Sequence, residues 1–280
     1  MTAPEPAAPL VGPPAAADQL RWAEDAMTRF AVLLGAADLA ADLAAPVPSC
    51  PGWDLAALAG HLGQVHAWAR GCLVEGHPNV EPPATPSAPV ELAGWYRQQA
   101  DDLLGVLRAI DPAAPAWGFG PKPRTAAFWF RRQQHETSMH LWDALAALGA
   151  RPGYGGVGAP AAAVRAADGL AEVRSVFLPR QVRLKRIPPL QRSLGLVGTD
   201  VGLRVVLAGD GVGDPAFDPA FDPAGEPVGG PEATVSGTAE ALVLLVWGRL
   251  DLAAGLADGR LSLTGDEQAA RSVLAAGVVP

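Results

Sequence analysis

The stretch Arg131-Arg132-Gln133-Gln134-His135-Glu136-Thr137-Ser138-Met139-His140-Leu141-Trp142-Asp143 decides how the first half of this chain is read. It lies in a run, 125–148, that predicts a helix ended by Gly149 and Pro152. At about 100° per residue, Glu136 and His140 fall roughly 40° apart, so their side chains meet one turn apart. Gln133 and Asp143 extend the same stripe. His135 points about 140° away from His140 and cannot share an ion with it. Phe128, Phe130, Met139, Leu141, Trp142, Leu145 and Leu148 occupy the remaining positions, which predicts a helix buried nearly all round. A buried stripe of carboxylates and imidazoles needs partners, because an uncompensated buried charge is very costly. A metal ion held by Glu136 and His140 meets that need. A Glu–His ion pair on a solvated face is the alternative.

Three further helices precede this one. Residues 19–39, with Asp18 as N-cap, place Leu20, Ala23, Met27, Phe30, Ala31 and Leu34 on one face. Residues 54–74 do the same with Leu55, Leu58, Leu62, Val65, Ala69 and Cys72. Residues 90–110 form the third. The connections 77–89 and 111–124 are long and rich in proline. Four helices of about 20 residues joined in this way predict a four-helix bundle with crossovers. The second half differs. Residues 160–177 read as a helix and 179–191 as a basic, Pro-containing loop. Strand-like patterns occupy 203–207, 233–236 and 261–264, a Gly/Pro/Asp loop covers 210–231, and helices cover 238–247 and 267–276. The fold class is therefore α+β. A disordered tail spans 1–17, a helical bundle 18–152, and a smaller α+β domain 153–280.

Composition narrows the function. Of 280 residues, 49% are apolar, enough for a core in each domain, yet no apolar stretch is long enough to span a membrane. The Pro/Ala tail lacks a basic start and an apolar centre, so it is not a signal peptide and the expected location is the cytoplasm. Net charge is −8 and the only basic run is Arg180–Arg186, which argues against nucleic acid as a partner. The expected partners are small molecules, and the expected state is a monomer or weak homodimer. Cys50 and Cys72 have no Cys-x-x-Cys partner, which excludes a thiolate zinc site and leaves a reduced pair. Two lysines beside nineteen arginines suit a high-GC genome.

A metal on Glu136 and His140 needs at least one more ligand. His61 and His66 each sit about 70° from the centre of the second helix's apolar face, on opposite flanks. Periodicity does not choose between them. His77 lies in a loop and reads as solvated.

The motifs Pro51-Gly52-Trp53-Asp54-Leu55, Gly60-His61-Leu62, Arg131-Arg132 with His135-Glu136, and His140-x-Trp142-Asp143 resemble the mycothiol-dependent maleylpyruvate isomerase family of the DinB-like superfamily. Asp168-Gly169-Leu170 with Glu172, Thr234-Val235-x-Gly237-Thr238-Ala239, Trp247-Gly248-Arg249 and Gly265-Asp266 extend the resemblance to the second domain. It implies a DinB-like four-helix bundle whose metal ligands are His61, Glu136 and His140. One departure is Leu141, where the family carries a basic residue. That is not a ligand position, and its expected effect is on the substrate pocket.

Three ligands of the His₂Glu type leave a coordination position open, as in catalytic zinc sites. The implied cofactors are a divalent metal, Zn²⁺ first, and mycothiol as thiol cosubstrate, which fits an actinobacterial source. The metal-bound thiolate then acts on a small electrophile. Cis–trans isomerisation of an electrophilic acid is the first reading, and S-transfer of mycothiol to an electrophile the second. A non-catalytic metal-binding module is the reading without chemistry. Arg249 is the candidate catalytic residue, binding a carboxylate, with a helix-end contact to carbonyls as its alternative. Asp143 is the candidate for orienting His140. Arg131 and Arg132 read as salt-bridge partners in the bundle.

Overall fold

The computed structural model describes residues 14–36, 41–150, 153–156, 161–211 and 230–280. They fall into two compact units, Pro14–Gly158 and Ala159–Pro280. The expected tail up to residue 13 and most of the 210–231 loop lie outside the described residues.

The first unit is a bundle of α1 (Ala16–Ala36), α2 (Leu55–Glu75), α3 (Pro89–Ala109) and α4 (Ala127–Ala147). Helix α1 packs on α4 and α3, while α2 packs on α3 and α4. The successive pairs α1/α2 and α3/α4 are not among the strongly packed ones, so their connections cross an end of the bundle. Helix α1 starts at Ala16, earlier than its expected Asp18 cap. Asp18 instead sits in the first turn, where an acid suits the helix dipole, and pairs with Arg21 at 2.7 Å. The expected end of this helix, 37–39, lies outside the described residues. Asp54 caps α2 by accepting from the Ala57 amide at 2.8 Å, and Gly76 ends it at φ 77°, where a Cβ would be strained. The α2–α3 contact is close enough that a Cβ on Gly63 would stand 2.3 Å from the Trp95 ring.

The second unit holds a four-stranded sheet in the order β2-β1-β3-β4, from β1 (Leu190–Gly198), β2 (Arg204–Gly209), β3 (Ala233–Gly237) and β4 (Leu261–Gly265). Strand β1 pairs antiparallel with β2 and parallel with β3, and β3 pairs antiparallel with β4. Helices α5 (Ala161–Glu172) and α6 (Leu178–Arg183) are joined by a π-helical turn, Val173–Phe177. Helices α7 (Ala239–Val246), α8 (Leu252–Ala257) and α9 (Glu267–Ala275) complete it, with α7 packed on α5 and α9 on β1. Three expectations need correction. Strand β1 was no expected element, because Pro189, Gly195 and Gly198 punctuate a segment without a β-branched run. It becomes a strand because β2 and β3 pair with both its edges. The 179–191 loop begins as α6, with Pro179 in the first turn, where its missing N–H costs no intrahelical bond. The short α8, capped by Asp251, was also not expected. No described helix is long and apolar enough to cross a membrane.

A polar group lies at the centre of the bundle. His66 of α2 is fully buried, with Nδ1 2.8 Å from Gln133 Oε1 on α4 and Nε2 3.4 Å from the Tyr96 hydroxyl of α3. The amide oxygen can only accept, so Nδ1 carries the proton and Nε2 is the acceptor. Burial, only partly offset by the Gln133 bond, pushes the imidazole down from 6.5 to about 4. Below pH 6.5 the unfolded chain takes up a proton that folded His66 refuses. Stability from this group is therefore complete above pH 6.5 and falls as pH drops towards 4, by roughly 3 kcal/mol in all. Urea midpoints at pH 7.5 and 4.5 check this: His66→Gln should lose much of the pH dependence of the native chain, and an unchanged dependence would assign it to other groups.

Candidate functional site

Residues from α2, α4 and the 41–54 connector converge at one place in the bundle. His61, Glu136 and His140 offer ligand atoms that all lie within 4.8 Å of one another. Glu136 Oε1 stands 3.4 Å from His61 Nε2 and 3.4 Å from His140 Nε2. Those distances are long for N–H···O bonds, which centre near 2.9–3.0 Å. They match the ~3.4 Å edge of a tetrahedron whose metal–ligand bonds are about 2.1 Å. The donor set thus has the spacing and chemistry to hold a divalent ion. The second carboxylate oxygen of Glu136 is occupied, because Arg132, 4% exposed, donates to Oε2 at 3.1 Å. Arg132 is thereby a salt-bridge partner, one turn from Glu136 on the same helix.

The far side of His140 is held as firmly. Its Nδ1 lies 3.0 Å from Oδ2 of Asp143, which is entirely buried. A carboxylate accepts only, so Nδ1 carries a proton towards Asp143, and Nε2 is the nitrogen that faces Glu136. Asp143 also accepts from the Ser49 hydroxyl at 2.5 Å and the Cys50 thiol at 3.7 Å. Trp53, from the same connector, packs its ring 4.8 Å from that of His61 and 6.5 Å from that of His140.

Charge follows this geometry. Burial pushes the Glu136 carboxyl up, but hydrogen bonds from His140 and His61, with the charges of His140 and Arg132, outweigh it and hold the group well below the ordinary carboxylate range. Burial pushes His140 down, and its bonds with Asp143, Cys50 and Glu136 reverse the sign and hold it well above the ordinary imidazole range. The carboxylate is thus ionised and ready to ligate. A metal would have to displace a proton from His140.

The structure distinguishes the histidines that periodicity did not. His61 joins Glu136 and His140, whereas His66 is in the Gln133–Tyr96 group. His135 is turned away, its Nδ1 3.1 Å from the Tyr154 hydroxyl. His77 lies 3.6 Å from Glu75 on the surface. Leu141 is 1% exposed in the bundle core and lines a groove of about 380 Å³ with Arg29, Val32 and Leu33 of α1. Cys50, distant from the site in sequence, is beside it in space. Ser49 and Trp53 had no helical spacing to reveal them, since the chain returns to α4 only after about 90 residues. In the second unit, Arg249 donates to the Trp247 carbonyl at 2.7 Å, the helix-end contact expected as its alternative role. It also lines a cavity of about 600 Å³ with Arg271, Leu245, Leu252 and Leu274.

Comparison with known proteins comes down on one family. Residues 23–145 match the mycothiol maleylpyruvate isomerase N-terminal domain, and residues 165–272 match the C-terminal domain of that family. The crystal structure of the mycothiol-dependent maleylpyruvate isomerase superposes with a TM-score of 0.59 at 14% identity, covering 90% of this chain and 93% of that one. A histidine-to-alanine mutant of the mycothiol-dependent maleylpyruvate isomerase gives 0.57 at the same identity and coverage. At this identity the likeness is one of fold. No curated protein matches the sequence.

The two cysteines are free thiols in different settings. Cys72 is fully buried and its thiol is pushed up to about 12 by burial, whereas Cys50 is partly exposed. A thiol reagent should therefore modify Cys50 in the native chain and Cys72 only after unfolding. Rapid native titration of both would contradict the described packing.

Proposed function

The chain belongs to the mycothiol maleylpyruvate isomerase family, and we propose that it isomerises an electrophilic cis acid with mycothiol, using a divalent metal held by His61, Glu136 and His140. The observation that carries this reading is the convergence of three ligand atoms within 4.8 Å, with the other nitrogen of His140 already bound to Asp143. Such a hydrogen bond behind a ligating histidine is the usual companion of a metal site. Zinc is the proposed ion. When bound, it would supply the Lewis acidity that makes a coordinated thiol ionise near neutral pH.

The chain's own residues prepare that place. Arg132 holds one oxygen of Glu136 and leaves the other directed at the two imidazoles. Asp143 fixes the tautomer of His140 so that Nε2 is the donor atom. Trp53 packs its ring against those of His61 and His140 and supports their orientation. The reaction itself asks for a thiolate that adds to the conjugated double bond of a substrate such as maleylpyruvate. The bond becomes single and rotates, and the C–S bond then breaks, so the thiol is regenerated and no net proton is consumed. Arg249 is the proposed binder of a substrate or thiol carboxylate. The cavity of about 600 Å³ that Arg249 lines, with the apolar walls of Leu245, Leu252 and Leu274, supports this role.

Elemental analysis and cobalt substitution test the reading together. About one metal per chain is expected, with a sulfur-to-cobalt charge-transfer band on thiol addition and thiol-dependent conversion of cis to trans product. A stable thiol adduct in place of the trans acid would replace isomerisation by S-transfer. Metal without a thiol-dependent band would leave a metal-binding module. His140→Ala should abolish metal binding, while His66→Gln retains it; the reverse outcome would overturn the ligand set. Arg249→Ala should raise KM about tenfold or more with metal content unchanged, and an unaltered KM would reduce Arg249 to its Trp247 contact.

A further inference from the structure

We propose that Ser49 is a positioning residue for the site, acting through Asp143 on His140; the proposal rests on His140 being a metal ligand. Ser49 lies in the connector between α1 and α2, and its hydroxyl donates to Asp143 Oδ1 at 2.5 Å. That is the distance of a charge-assisted O–H···O⁻ bond, the stronger class of hydrogen bond. Asp143 has no exposed surface, so its charge must be met within the protein. The two oxygens divide the task. Oδ1 takes the serine, and Oδ2 takes His140 Nδ1–H at 3.0 Å and the weak Cys50 thiol at 3.7 Å. With Oδ1 anchored, rotation of the carboxylate about its Cβ–Cγ bond is blocked, and Oδ2 stays aimed at the imidazole.

The connector is built to hold that hydroxyl in place. The Val47 amide donates to the Trp53 carbonyl at 2.9 Å, and the Cys50 amide to the Val47 carbonyl at 3.0 Å. The Trp53 amide returns to the Cys50 carbonyl at 3.0 Å, closing a turn that passes through Gly52 at φ 85°. Asp54 then caps α2, the helix that carries His61. One short loop therefore sets the entry of α2, covers His61 with Trp53, and fixes the carboxylate behind His140. Ser49 is the member of the loop whose hydroxyl is bonded to that carboxylate.

The test is zinc affinity of the full-length chain, measured by competition with a chromophoric chelator, for the native protein, Ser49→Ala and Ser49→Thr. Removal of a partner behind a metal ligand typically weakens binding 10–100-fold. Ser49→Ala is expected to lose about tenfold, and Ser49→Thr, which keeps the hydroxyl, to recover most of it. Thermal unfolding of the metal-free proteins, run alongside, separates folding from positioning. If Ser49→Ala lowers the melting temperature yet binds zinc within twofold of the native chain, the residue is merely structural and the inference is overturned. Equal loss in Ser49→Ala and Ser49→Thr would overturn it as well, because the hydroxyl would not be the operative group. Failure of the native chain itself to bind zinc would instead refute the metal reading beneath it.

Discussion

Helix α4 carries Gln133, Glu136, His140 and Asp143 along a stripe turned into the bundle, and much of the surrounding structure serves to partner that stripe. Charge and hydrogen-bonding capacity placed among apolar helices must be met inside the protein. Each neighbour meets part of the demand. Helix α2 brings His66 to Gln133 and His61 to Glu136, α4 itself brings Arg132 to Glu136, and the connector brings Ser49 and Cys50 to Asp143. The bundle's neighbour relations follow the same need. Helix α2 stands beside α4 rather than beside α1, and the α1–α2 connection crosses the bundle to allow it.

The partnering is asymmetric in a useful way. At Asp143 it is complete, with both oxygens bonded and no surface exposed. At the His61–Glu136–His140 group it stops short, leaving side-chain exposures of 35%, 19% and 13% and separations of 3.4 Å that are too long for good hydrogen bonds. A closed arrangement behind and an open one in front suits the proposed role of these three residues as metal ligands. The same rigid backing lets an imidazole keep its orientation when the proton on its front nitrogen is exchanged for another Lewis acid. His66, five residues from His61, shows the contrast: its Nδ1 is bonded to Gln133 at 2.8 Å, Nε2 lies against the Tyr96 hydroxyl, and the residue has no exposed surface.

The second unit is organised around its four-stranded sheet. Its central strands β1 and β3 run parallel and carry Leu194, Leu196, Ala233 and Val235 into the interior. Helix α7 packs on both strands and ends next to Arg249, whose guanidinium returns to the Trp247 carbonyl while facing a cavity that Arg271 shares.

By itself, the sequence determined the elements whose cause is local. Apolar spacing gave the four bundle helices, Asp54 and Thr238 could be read as starts of helices, and the one-turn separation of Glu136 and His140 put two donors side by side. The four-residue spacing suffices for that, because helix geometry is the same wherever the helix sits. Periodicity left His61 and His66 on equivalent flanks of α2; the family motif pointed to His61, and the tertiary structure sets His61 opposite Glu136 and His66 opposite Gln133. Strand β1 likewise owes its existence to β2 and β3, not to its own glycine-containing sequence. Ser49 and Cys50 lie 94 and 93 residues from Asp143. No periodicity reaches that far, and their role arises only when the chain crosses the bundle and closes on itself.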